Sequence, residues 1–144
     1  MSTLERAIVI AAEAHAGVRD KGGAPYILHP LRLMLGMSTE AEQIAAVLHD
    51  VVEDSDWTLD QLRAEGFSEE IVRAVDHVTR CDDETYAEFV QRAGEDPVAA
   101  RVKAADLIDN MDVSRIASPT AKDHERIAKY ERALATLRSG PYVS

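Results

Sequence analysis

The chain is 144 residues long, a length suited to one domain with its own core. Hydrophobic residues make up 46% and charged residues 29%; 16 basic side chains against 26 acidic leave a net charge of −10. That balance speaks against nucleic acid as the main partner, because phosphate binding wants a basic face.

The single cysteine, Cys81, excludes an intrachain disulfide, and Asp82 and Asp83 beside it make a catalytic thiolate a poor expectation. No basic segment followed by an apolar run opens the chain, and no apolar run approaches the ~20 residues of a membrane span. A soluble cytoplasmic protein without a membrane partner is expected.

Alanine, leucine, glutamate and arginine fill the chain, a composition that favours helix. Ser2 to Glu5 fits a capping box and predicts a helix through Ala16, ended by Gly17. The stretch "RDKGGAPY", 19 to 26, reads as a loop, and a short helix follows from Pro30. Thr39 and Glu42 form a second capping box, opening a helix over 40–54. Thr58 and Gln61 form a third, opening a short helix that stops at Gly66. Further helices are predicted over 69–79, 85–93, 97–112 and 120–138, the last ending before Gly140 and Pro141. No segment alternates with period two, and repeats, low-complexity tracts and linkers are absent. The expected fold is an all-α bundle over 1–144.

The stretch "VLHDVVEDSD", 47 to 56, carries the first chemical signal. Asp50, Glu53, Asp54 and Asp56 crowd the end of an apolar helical run, facing the negative end of the helix dipole. On a continuous helix His49, Asp50, Glu53 and Asp54 share one side. The plain reading is a solvated acidic helix end. The alternative is a bound divalent cation, which would answer both the acids and a histidine set beside Leu48 and Val51.

More ligands are available in His29, at the corner "YILHP", and in Asp106, a carboxylate amid Ala104, Ala105, Leu107 and Ile108. A carboxylate in an apolar stretch is costly unless paired or metal-bound. Two imidazoles and two carboxylates suit a first-row ion such as manganese, iron, cobalt or zinc. His77 is expected to be structural, His124 exposed, and His15 a cap or core polar group.

These residues, His29, the pair His49 and Asp50, and Asp106, follow the H…HD…D pattern of HD-domain metal-dependent phosphohydrolases. The stretches "AAEAHAGVRDKGGAPYILHPLRLML", "IAAVLHDVVEDSDWT" and "VKAADLIDNM" make the likeness specific. From about residue 7 to 116 the chain resembles the hydrolase domain of RelA/SpoT homologues, above all the stand-alone small alarmone hydrolases. The resemblance implies a single HD-domain helical bundle and removal of the 3′-diphosphate from guanosine tetra- and pentaphosphate, usually with manganese. It implies that His29, His49, Asp50 and Asp106 hold the ion and that Glu53 and Asp54 handle the attacking water. It also implies that Lys21 and Asn110 contact the nucleotide.

Departures lie at the nucleotide positions. The family's arginine before the lysine is Asp20 here, with Arg19 one position earlier as the candidate replacement. The basic residue usually following the last ligand is Leu107, and the aromatic or histidine before the asparagine is Asp109. An HD nucleotidase acting on a different phosphorylated nucleotide, or a catalytically silent metal-binding helical module, are the alternatives. A homo-oligomer stays open. Lys103 and Arg115 are further local cations, although an acid on its own helix is at hand to pair with Lys103.

Overall fold

Threonine side chains begin most of the helices. In the computed structural model, which describes residues 1–144, the α-helices are α1 (Leu4–Ala14), α2 (Leu28–Leu35), α3 (Glu40–Leu48), α4 (Val51–Asp54), α5 (Leu59–Ala64), α6 (Glu69–His77), α7 (Tyr86–Ala93), α8 (Pro97–Asn110) and α9 (Ala121–Arg138). A single 3-10 turn spans Val113–Arg115, and the only β-type pairing is an isolated bridge between Arg19 and Pro25. The fold is all-α, as expected.

The boxes at Thr39–Glu42 and Thr58–Gln61 form as read, with each threonine hydroxyl and each acid or amide satisfying the other's backbone N–H. The first helix differs: its cap is Thr3, whose hydroxyl accepts from the Arg6 N–H, and not Ser2 with Glu5. Ser2 instead donates its N–H to the Gly66 carbonyl, 3.0 Å away, so it is drawn off the helix start. The helix also ends at Ala14, two residues early, where the chain turns through Gly17 at φ +80°.

Helix α3 is the centre of the bundle. Ile44, Ala45, Ala46, Val47 and Leu48 are all buried, and α1, α2, α6 and α8 pack around them. Fully burying a side chain such as Leu48 contributes roughly 1.5–3 kcal/mol. Glu42 is buried on this helix yet satisfied: one oxygen accepts from the Ser38 and Thr39 N–H groups, and the other from Arg101 on α8 at 3.0 Å. Helix α8 is buried on two sides. Val98, Ala99 and Val102 join the main core, while Ala104 and Leu107 pack with Val90, Ala133, Leu134 and Leu137 of α7 and α9.

The expected helix over 40–54 is broken, and the break matters. Asp50 leaves helical geometry at φ −105°, ψ 0°, dividing α3 from the single turn of α4. In an unbroken helix the Asp50 N–H would bond to the Ala46 carbonyl. That carbonyl is taken by the His49 ring, whose Nδ1 sits 2.8 Å away, and by the His49 backbone N–H at 3.3 Å. The acids beyond Asp50 therefore do not continue the face of α3; they belong to a separate turn.

Candidate metal centre and cleft

Because α2, α3 and α8 pack against one another pairwise, three distant stretches of chain meet at one point. His29 comes from the first turn of α2, His49 and Asp50 from the break after α3, and Asp106 from α8. The ligand atoms of His29, His49 and Asp50 lie within 4.8 Å of one another. Asp106 Oδ1 stands 2.9 Å from His29 Nε2 and 3.4 Å from His49 Nε2. Both histidines and Asp106 are buried.

The electrostatics of this pocket ask for positive charge. Burial opposes a charged imidazole at His49, yet Asp50 and Asp106 outweigh it and push its pKa well above the ordinary value. Burial likewise works against the Asp106 carboxylate, but Lys103, His29 and His49 hold it well below the usual carboxylate range. Tyr26 donates its hydroxyl to Asp50 Oδ2. Asn110 Nδ2 donates to Asp106 Oδ1 at 3.0 Å, and Lys103 Nζ reaches Asp106 Oδ2 at 2.9 Å.

Glu53 and Asp54 sit at the exposed rim of the cluster. Glu53 Oε1 accepts the Arg80 backbone N–H at 3.0 Å, which ties α4 to the loop after α6. Partial desolvation, with Asp50 and Glu53 beside it, pushes Asp54 up to about 6.

Next to the cluster opens a cleft of about 480 Å³. Arg19, Lys21, Arg115 and Arg126 outnumber Asp20 and Asp112 on its walls, with Arg115 paired to Asp112 and Arg126 to Asp123; Asn110, Tyr26 and Tyr130 also line it. Asp20, which replaces the family's arginine, is used by the loop: its Oδ1 accepts the Gly22 and Ala24 N–H groups, both at 2.9 Å. Arg19 donates to the Gly23 carbonyl at 3.2 Å, whereas Lys21 has no carboxylate within ion-pair reach. The sequence-derived residues thus divide into a buried cluster (His29, His49, Asp50, Asp106), a rim pair (Glu53, Asp54) and a cleft set (Arg19, Lys21, Asn110).

Sequence reasoning missed several neighbours. Tyr26 lies three residues before His29, in the turn that leads into α2, and could have suggested a partner for the cluster. Arg126 and Tyr130, four residues apart on α9, present one helix face to the cleft. Asp109 bonds His29 Nδ1 at 2.6 Å, although it was noted only as a departure. Among the histidines set aside, His77 bonds the Arg73 carbonyl and His124 is exposed. His15 caps α1, buried with its ring edge-on to Tyr26.

The sequence pattern that defines the family described as "HD domain" matches residues 7–132. The chain belongs to the HD-domain family. This HD-domain chain is 32% identical over 145 residues to a Mus musculus protein named guanosine-3′,5′-bis(diphosphate) 3′-pyrophosphohydrolase MESH1, spanning 90% of this chain and 79% of that one. It is 35% identical over 121 residues to a guanosine-3′,5′-bis(diphosphate) 3′-pyrophosphohydrolase of Aquifex aeolicus (strain VF5), covering 75% of this chain. A probable GTP pyrophosphokinase of Mycobacterium leprae (strain TN) is also 35% identical, over 133 residues and 83% of this chain. The HD-domain chain spans only 17% of the length of either of these two bacterial proteins. Its fold superimposes with a TM-score of 0.78 on a solved structure described as a metazoan ortholog of SpoT that hydrolyzes ppGpp. That superposition covers 97% of this chain and 88% of the other at 22% identity.

The HD domain implies dependence on a divalent metal, and the residues present fit one. His49 Nε2 is buried without a hydrogen bond; it lies 3.0 Å from Asp50 Oδ2 but without the alignment of a bond. With His49 Nδ1 held by the Ala46 carbonyl, the ring directs Nε2 at the other three groups, and an ion there would take the place of the proton that Asp50 and Asp106 favour on it. The donor set, two imidazoles and two carboxylates, is one that first-row divalent ions accept.

Proposed function

We propose that this HD-domain protein is a metal-dependent pyrophosphohydrolase. It removes the 3′-diphosphate of guanosine tetra- or pentaphosphate, or of a related alarmone nucleotide, with manganese as its ion. The observation that carries the reading is the junction between cluster and cleft: Tyr26 and Asn110 each touch a candidate ligand and also line the cationic cleft. A phosphorylated nucleotide lying in that cleft would present its phosphates to the cluster. The mouse relative, most of whose length this chain spans, is named for this activity.

When bound, a divalent ion would acidify a water and draw charge from a phosphoryl oxygen. The chain's own groups would do the rest. His29, His49, Asp50 and Asp106 would hold the ion. Asp54 would take a proton from the attacking water, while Glu53, fixed by the Arg80 N–H, would orient it. Lys21 and Arg19 would bind phosphate oxygens, and Asn110 would steady both Asp106 and the nucleotide. We place this activity in the cytoplasm and in one domain over 1–144.

A second reading, an HD nucleotidase acting on a different phosphorylated nucleotide, is favoured by Asp20. That side chain is consumed by its own turn and leaves the base without the family's arginine. Turnover with manganese on a panel of nucleotides separates these readings. Pyrophosphate released from an alarmone supports the first, and orthophosphate from a mononucleotide the second. No product from any would leave a metal-binding module.

A further inference from the structure

The two candidate histidine ligands are steadied in different ways. His49 is fixed by a backbone carbonyl of its own helix, whereas His29 is fixed by a carboxylate 80 positions further along the chain, on α8. Asp109 Oδ2 stands 2.6 Å from His29 Nδ1, a short, charge-assisted contact. The carboxylate is itself gripped. Arg32, one turn after His29 on α2, places Nε and Nη2 each 2.9 Å from its two oxygens, and Arg115 Nη2 bonds the Asp109 backbone carbonyl at 2.7 Å.

We propose that Asp109 is a positioning residue of the metal centre. It keeps the proton on His29 Nδ1, so that Nε2 presents its lone pair beside Asp106, His49 and Asp50, and it makes that nitrogen a stronger donor. Arg32 and Arg115 hold the carboxylate in place but do not themselves touch the imidazole. This rests on the metal reading above. A carboxylate behind a ligating imidazole fixes tautomer and ring angle, and its loss costs about 10–100-fold in metal affinity.

The competing account makes Asp109 only half of a fork that ties α2 to α8 through Arg32. The two accounts differ in what each substitution does. Manganese affinity measured by titration, alongside melting of the ion-free protein, separates them. Asp109→Leu should weaken manganese binding about 10–100-fold. Asp109→Asn, which keeps an acceptor oxygen for Nδ1, should recover part of it. Arg32→Met, which cuts the fork but leaves Asp109 on His29, should lose less than Asp109→Leu. Wild-type affinity in Asp109→Leu, or an equal loss in Arg32→Met, would overturn the positioning role and leave the metal centre standing. A wild-type protein that took up no divalent ion would remove the metal reading and this inference with it. Should Asp109→Leu fail to fold, the ¹⁵N shifts of the His29 ring in the manganese-free and zinc-loaded wild type decide. A proton on Nδ1 in the zinc-loaded protein supports the proposal, and the opposite tautomer overturns it.

Discussion

Lys103 Nζ lies 2.9 Å from Asp106 Oδ2, with both side chains largely buried at the heart of the cluster. Removing one partner of a buried ion pair leaves the other charge uncompensated. Lys103→Met should therefore lower the stability of the ion-free protein by roughly 3 kcal/mol. A divalent cation on Asp106 would restore the missing charge, so manganese should raise the melting temperature of the variant more than that of wild type. An ion-free melting temperature equal to wild type would show that His29 and Asn110 suffice for Asp106.

Ligand and rim residues should separate cleanly. His29→Ala or Asp106→Ala should strip the ion, measured by metal analysis, and abolish the stabilisation that manganese gives. Asp54→Asn should keep the ion and lose most of the rate, since it removes a proton acceptor and leaves the four ligands intact. Loss of the ion in Asp54→Asn would move that carboxylate onto the metal; full occupancy in Asp106→Ala would remove Asp106 from it.

For a protein of net charge −10, attraction of a polyanion must come from local cations. Lys21, on the cleft wall without a carboxylate partner, is the freest of them. Lys21→Ala should raise KM for the phosphorylated substrate several-fold with a smaller change in kcat, as expected for lost ground-state binding. The ratio should shrink with added salt, because an exposed cation is screened. An unchanged KM at low salt would leave the ion as the main phosphate anchor.

The loop that holds Glu53 has its own staple. Arg92 donates to the Asp76 and Thr79 carbonyls at 2.9 and 2.7 Å and to both oxygens of Glu84. These bonds to Arg92 pull Glu84 down to about 2 from an ordinary value of 4.5. A depressed carboxylate stabilises the fold above its unfolded value and loses that contribution as pH falls through its folded one. The stabilisation from Glu84 should thus be complete above about pH 5 and fade towards pH 2. Melting of wild type and Glu84→Gln across this range should show a gap at neutral pH that closes on acidification. A gap that is constant with pH would point to packing instead of charge.

The helix starts were legible because capping is local: Thr39 with Glu42 and Thr58 with Gln61 need only a three-residue spacing. Ser2 misled because its N–H is claimed by Gly66, a partner no local pattern announces. The four clustered candidate ligands could be picked out from residue type and apolar setting, aided by the resemblance. The break at Asp50 could not, since it depends on the His49 ring competing for the Ala46 carbonyl. Asp109 was equally hidden: its significance comes from a histidine on another helix, and single-helix spacing carries no trace of that.

The order of the candidate ligands along the chain has a consequence for biosynthesis. A polypeptide growing from its N-terminus presents His29, His49 and Asp50 early, on helices that lean on one another, but Asp106 arrives only with α8. Helix α8 also supplies Lys103 and Asn110, which bond Asp106, and Asp109, which bonds His29. Before α8 docks, the cluster lacks Asp106 and would hold a divalent ion less well. Uptake of an ion at this cluster would be a sign that α8 has docked, and the ion would then act as a latch between α8 and the two earlier helices.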